Sequence, residues 1–171
     1  MKSSRSWLGL LGFGAAVAAA GIVGARYSPR DLRTKLWYNR LDKPSWNPPN
    51  FVFPVVWTAL YSLIAVSGWR VWEQKSSPER TRALRLWATQ LATNAEWTRL
   101  FFGRHQPRQS LLDVIALETQ ILRYIATAKD VDLGAAACFL PYAAWVAFAT
   151  VLNAEIARRN PDAGKLWPRA A

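Results

Sequence analysis

Three stretches of this chain, residues 6–25, 44–69 and 133–154, contain no Asp, Glu, Lys or Arg. A helix needs about 20 residues to cross a hydrocarbon core of roughly 30 Å, and each stretch reaches that length. Lipid offers no water to unpaired backbone groups, so a crossing segment must be a helix or part of a closed barrel. No β signal runs through these stretches, and helices are predicted. A mean hydropathy of only −0.02 conceals the pattern, because the charges are gathered between the apolar runs. The expected class is all-α and integral to a membrane.

A net charge of +11 has two readings. Nucleic-acid binding needs basic residues on one face of a soluble fold. Here they lie between the apolar runs, where Lys and Arg meet anionic headgroups and set topology. The bilayer, not nucleic acid, is the expected partner. Residues 1–171 form a single domain, and the lone Cys138 cannot make an intramolecular disulfide. Its expected place is a small buried position in a helix.

Five spans are predicted, at about 7–26, 51–73, 83–103, 109–129 and 133–157. In the first, Gly12, Ala16, Ala20 and Gly24 recur every four residues, a spacing that lets helices approach closely in lipid. A cleaved signal peptide fits the same basic start and apolar run. Residues 26–50 read as a basic loop ending in Trp37-Tyr38-Asn39-Arg40-Leu41-Asp42-Lys43-Pro44-Ser45-Trp46-Asn47-Pro48-Pro49. Each Pro fixes its own φ and restricts the residue before it, which predicts an extended, stiff lid rather than a helix.

The third and fourth segments carry Glu96 and Arg99, and Asp113, Glu118 and Arg123. A charge at mid-bilayer costs roughly 2.5–3.5 kcal/mol on insertion scales. An antiparallel hairpin turning near His105-Gln106-Pro107 sets Arg99 level with Asp113, and an interior Arg99–Asp113 pair is predicted. It also sets Glu118 level with Thr93 and Asn94. The alternatives are a hairpin near the surface, or a soluble or peripheral basic helical protein. In the fifth span Pro141 removes a backbone bond and predicts a kink. Five spans put the lid loop and the C-terminus on one side, which carries more Lys and Arg and is therefore expected to face the cytoplasm.

Three helices carry aromatic and amide residues at helical spacing. They are Trp57 and Tyr61; Gln90, Asn94 and Trp97; and Tyr142, Trp145, Ala149 and Asn153. Broad aromatic faces with a few amides suit a flat, mostly apolar ligand. Packing or interfacial anchoring gives the same residues a purely structural role. Enzyme constellations are missing from the sequence. There is one His, so no His-based metal site or His–carboxylate pair is expected, and His105 reads as a solvated or headgroup-facing loop residue. Asp113 and Glu118 are about 140° apart around a helix and make no dyad. Two matches to a proposed sterol pattern, Leu122 to Lys129 and Leu36 to Arg40, show how permissive that pattern is.

The residues Trp37-Tyr38, Leu41, Lys43-Pro44, Trp46, Pro48-Pro49, Phe53 and Trp57 to Tyr61 carry a resemblance. It continues through Gln90-Leu91, Asn94, Trp97, Phe101-Phe102, Asp113, Pro141-Tyr142, Trp145, Phe148-Ala149 and Leu152-Asn153. Over about residues 7–160 the chain resembles the TspO/MBR family, the tryptophan-rich sensory proteins of bacteria and the mitochondrial translocator (peripheral-type benzodiazepine receptor) protein. The resemblance implies five transmembrane helices around a ligand cavity capped by the Pro/Trp-rich first loop, usually as a homodimer, here in a bacterial cell membrane. It implies a retained first helix and a membrane-spanning charged hairpin.

Family ligands are porphyrins such as protoporphyrin IX, sterols such as cholesterol, and benzodiazepine-site compounds; a porphyrin would be ligand rather than cofactor. Carried over by motif, ligand contacts are Tyr38, Trp46 and Pro48 in the lid, with Trp57, Asn94, Trp97, Trp145 and Ala149 in the cavity beside Tyr61. The implied role is receptor or sensor, for tetrapyrrole sequestration, transport or stress regulation. Some bacterial members degrade protoporphyrin in light, and in that alternative Trp57 and Trp145 are the reacting residues. Two departures stand out. Leu152-Asn153-Ala154-Glu155 lacks the sterol-motif tyrosine of vertebrate members, and Arg99, Glu118 and Arg123 add charge.

Overall fold

Proline and short polar side chains set where the helices begin. The computed structural model describes residues 2–28 and 32–164, with side chains from Ser6 onward. The part of the predicted C-terminal side that falls on 165–171 lies outside the described residues. Within them the chain forms α1 (Lys2–Ala25), α2 (Leu32–Arg40), α3 (Val52–Glu73), α4 (Pro78–Thr98), a π-helical turn (Arg99–Gly103), α5 (Pro107–Ala128) and α6 (Leu133–Arg159), with no strand. Ser77 caps α4 by accepting from the Arg80 amide at 3.1 Å, with Pro78 in the first turn. A proline there gives up an amide that has no helical partner anyway. The helix therefore starts five residues before the predicted Ala83. Asp132 caps α6 by accepting from the Ala135 amide at 2.6 Å.

Segment 6–25 within α1, together with α3 and α6, is long and apolar enough to cross a membrane. At 22 residues α3 and α5 extend about 33 Å each. Around one core the helices follow the order α1, α3, α6, α5, α4, with α4 returning to α1. The core holds Ile64, Val71, Ile121, Tyr124, Phe139 and Tyr142, all fully buried. α1 belongs to it: Val17 is buried and Phe13 meets Trp87 edge-on at 4.8 Å. Gly68 makes this crossing possible, since a Cβ there would lie 2.6 Å from both the Phe13 and Trp87 rings.

Several expectations are corrected. The small-residue stripe of α1 is not its packing face as a whole. Gly24 is buried, but Gly12 and Ala16 are exposed, because the contact with α3 and α4 runs through Gly9, Phe13, Val17 and Gly21. The lid is helical at its start, since α2 includes Trp37, Tyr38, Asn39 and Arg40 and the extended segment begins only after it. The prolines lie beyond that point, so their restriction does not reach back to Trp37. α6 is one helix across Pro141, which is compatible with the expected kink, and the Pro141 side chain lies on the exposed face. Cys138 is half-buried rather than buried.

The predicted Arg99–Asp113 pair does not form. Arg99 instead donates from Nε and Nη2 to the Glu96 carboxylate at 2.7 and 2.6 Å. Residues three apart on a helix are neighbours, so Glu96 reaches Arg99 without crossing to α5. Across the hairpin, Gln120 of α5 donates to Thr93 of α4 at 2.9 Å. The π turn, closed by Arg104 N–H to Arg99 C=O at 2.8 Å, and a left-handed His105 at φ 56° shape this connection. His105 is not simply solvated: its ring stacks on Trp37 at 4.3 Å.

Candidate functional site

A cavity of about 580 Å³ opens beneath α2, between α1, α3, α4 and α6. Its aromatic wall follows from helical spacing. Trp57 and Tyr61, four apart on α3, tilt against each other at 5.3 Å, and Trp57 meets Tyr142 of α6 edge-on at 6.2 Å. On α4 Trp97 stacks on Phe101 at 5.2 Å with planes 22° apart. A π turn adds a residue to the helical circuit, and here Phe101 and Phe102 both line the cavity. Trp145 closes the α6 side, 6.0 Å from Phe53.

The polar groups of its wall are joined to one another. Asn94 Nδ2 donates to Tyr142 OH at 2.8 Å, and that hydroxyl donates to Gln90 Oε1 at 3.0 Å. Trp97 Nε1 donates to Asn153 Oδ1 at 3.0 Å, while Asn153 Nδ2 donates to the Pro107 carbonyl at 2.7 Å. Buried polar groups left unpaired are costly, so these bonds fix the rotamers of the wall. They also leave the inner surface mostly apolar. Among the described residues that line the cavity there is no carboxylate, thiol or imidazole, and Lys35 is the one charged side chain. Such a wall supports stacking and shape selection.

Tyr38, Trp57, Tyr61, Asn94, Trp97, Trp145 and Ala149 all line this space. Trp46 and Pro48 do not: Trp46 is 45% exposed and sits edge-on to Phe148 at 5.8 Å. Lys35, Asn39, Asn50, Thr58, Thr98, Phe101 and Phe102 also line it, though none of them is among the ligand contacts expected from the sequence. For the first two, the missing signal was the helix itself. Lys35, Tyr38 and Asn39 fall at i, i+3 and i+4 of α2, one face of a segment that reads as a loop.

The lid is tied down from the far end of the chain. The Asp42 amide donates to Asn160 Oδ1 at 2.9 Å, and Asn160 Nδ2 returns a bond to the Asp42 carbonyl at 2.8 Å. Trp37, fully buried, donates from Nε1 to the Ala163 carbonyl at 3.1 Å. Lys43 turns inward, donating to the carbonyls of Tyr38 and Leu41 at 2.7 and 3.2 Å, with its ammonium 4.6 Å from the centre of the Tyr38 ring. Burial lowers the Lys43 pKa, against the opposing pull of Asp42. Burial likewise raises that of the Tyr38 phenol, which a hydrogen bond with Asn47 partly offsets. In the sterol-pattern match around Tyr124, the tyrosine is fully buried and its hydroxyl lies 2.7 Å from Ser67 Oγ. That ring does not face the exterior.

Comparison with known proteins gives this architecture its place. Residues 13–159 match the TspO/MBR family. The chain is 38% identical over 147 residues to protein CrtK of Rhodobacter capsulatus, covering 85% of this chain and 89% of that one. It is 36% identical over 157 residues to a tryptophan-rich sensory protein of Cereibacter sphaeroides, covering 92% and 94%. The translocator protein of Homo sapiens is 34% identical over 157 residues, covering 90% and 91%. The chain belongs to the TspO/MBR family.

Proposed function

We propose that this protein is a five-span membrane receptor or sensor that binds a porphyrin-like tetrapyrrole in the cavity beneath α2. The observation that carries the reading is the continuous aromatic wall of Trp57, Tyr61, Trp97, Phe101 and Trp145 around a space of about 580 Å³. That volume lies within the roughly 300–1,000 Å³ of small-molecule sites, and flat aromatic faces are matched by a flat conjugated ring. α4 and α5 complete the five spans in this reading, with Glu96 and Arg99 neutralising each other as a pair. A bacterial cell membrane, cytoplasmic lid and C-terminus, and a homodimer belong to the same proposal. A sterol is a weaker candidate ligand, since Tyr124 of the sterol pattern is buried inside the helices.

The test is a protoporphyrin IX titration of detergent-purified protein, read by Trp fluorescence in darkness, beside a Trp57→Phe/Trp145→Phe variant. The expected result is saturable quenching whose midpoint rises at least severalfold in the variant, as lost stacking is worth about 0.5–1.5 kcal/mol per aromatic pair. Absence of saturable quenching in the unmodified protein removes the tetrapyrrole reading. A second reading, light-dependent porphyrin degradation, is favoured by the placement of Trp57 and Trp145 on the cavity wall. Under illumination it predicts bleaching above the protein-free control, lost in the same variant.

A further inference from the structure

The polar groups of the cavity wall fall into two sets, one bonded within the helices and one exposed on and beside α2. Asn94, Trp97, Tyr142 and Asn153 spend their hydrogen bonds on one another or on neighbouring helices. At the rim Lys35 and Asn39 of α2 and Asn50 before α3 line the space with exposed side chains. Lys35 has no carboxylate partner among the described residues, whose ion pairs involve Arg70, Arg99, Arg158 and Arg159. The other lysine nearby is not available in the same way, because Lys43 is committed to two backbone carbonyls and the Tyr38 ring. Among the described residues, one cation without a carboxylate partner therefore stands with two amides at the mouth of an aromatic chamber whose other lining residues are uncharged.

We propose that Lys35 is a specificity-determining residue that receives an anionic group, a carboxylate, from the ligand edge left at the rim. This inference rests on the tetrapyrrole reading and sharpens it. The preferred ligand is an amphipathic macrocycle with its acidic edge toward Lys35 of α2 and its apolar body against the aromatic wall that includes Trp57. Lys35, Tyr38 and Asn39 share one face of α2, so the cation is carried by the same element that closes the chamber. Ligand carboxylate and lid thus attract each other, and the orientation of the ring follows from charge rather than from shape alone.

The experiment compares the unmodified protein with Lys35→Met and Lys35→Glu in detergent and in darkness. Each is titrated with protoporphyrin IX and, separately, with its uncharged dimethyl ester, with protein-free micelles as baseline. Lys35 is exposed, so both variants are expected to keep the helical circular-dichroism signal of the parent. The expected result is a two- to fivefold loss of affinity for the diacid in Lys35→Met, the size of an exposed charge pair, about squared in Lys35→Glu. Ester affinity stays constant across the three proteins, and the diacid's advantage shrinks with added salt. Equal loss for diacid and ester, or no loss for either, overturns the charge role and leaves the tetrapyrrole reading in place. Failure of the unmodified protein to bind either probe overturns both.

Discussion

Replacing Asn160 by Ala should loosen the lid without unfolding the helices beneath it. In the folded protein the Asn160 side chain clasps Asp42 twice, accepting from its amide at 2.9 Å and donating to its carbonyl at 2.8 Å. It also bonds back to the Ile156 carbonyl at 2.8 Å, which holds the amide in place at the end of α6. A net hydrogen bond contributes about 0.5–1.5 kcal/mol, and these two are exposed to solvent, so together they hold the lid by about 1–2 kcal/mol. The ion pair left behind, Arg159 with Asp42 at 3.5 Å, is largely exposed and adds little. A loss of 1–2 kcal/mol multiplies the open population roughly 5–30-fold.

Amide hydrogen exchange measured on peptides covering residues 38–50 reads that population directly. Exchange there should accelerate by the same factor while peptides from α3 and α5 keep their parental rates. Asn160→Asp should act similarly, because a carboxylate can still accept from the Asp42 amide but faces two carbonyl oxygens where the amide donated. Unchanged exchange in the lid refutes the latch. Acceleration spread equally over α3 and α5 refutes it as well, since it would make Asn160 a residue of general stability.

The opposite end of the bundle offers a separable case in Asp132, which caps α6 and also binds Arg70 through Nε at 2.9 Å and Nη2 at 3.1 Å. Asp132→Asn keeps a capping oxygen and should cost about 1 kcal/mol or less. Asp132→Ala removes cap and pair and should cost about 2 kcal/mol, seen as a larger drop in detergent Tm; equal drops would show that the cap contributes nothing. Packing of α1 is tested by two glycines. Gly68→Ala, with its Cβ 2.6 Å from two rings, should destabilise by about 1–3 kcal/mol. Gly12→Ala, with nothing within 4 Å, should be neutral or stabilising by about 0.5–1 kcal/mol, and the reverse order of Tm values would refute the packing face assigned to α1.

Much of this protein is readable in one dimension. Charge-free runs of helical length give the apolar helices, since only a helix or a barrel satisfies its own backbone in lipid. Periodicity alone brings Trp57 to Tyr61 and Asn94 to Trp97, because residues three and four apart share a helix face. The Trp/Pro-rich motifs suffice to name the family. What periodicity leaves open is decided by partners distant in sequence. One exception is local: Arg99 turns to Glu96, three residues back on the same helix, and not to Asp113 across the hairpin. The lid begins as a helix because Trp37 is buried against residues from the far end of the chain, with its indole bonded to Ala163 across 126 positions. That helix puts Lys35 on the face of Tyr38, and so gives the chamber the one cation among the described residues that line it. Local sequence fixes the period of each helix, whereas burial and hydrogen bonding between helices fix which side chains meet.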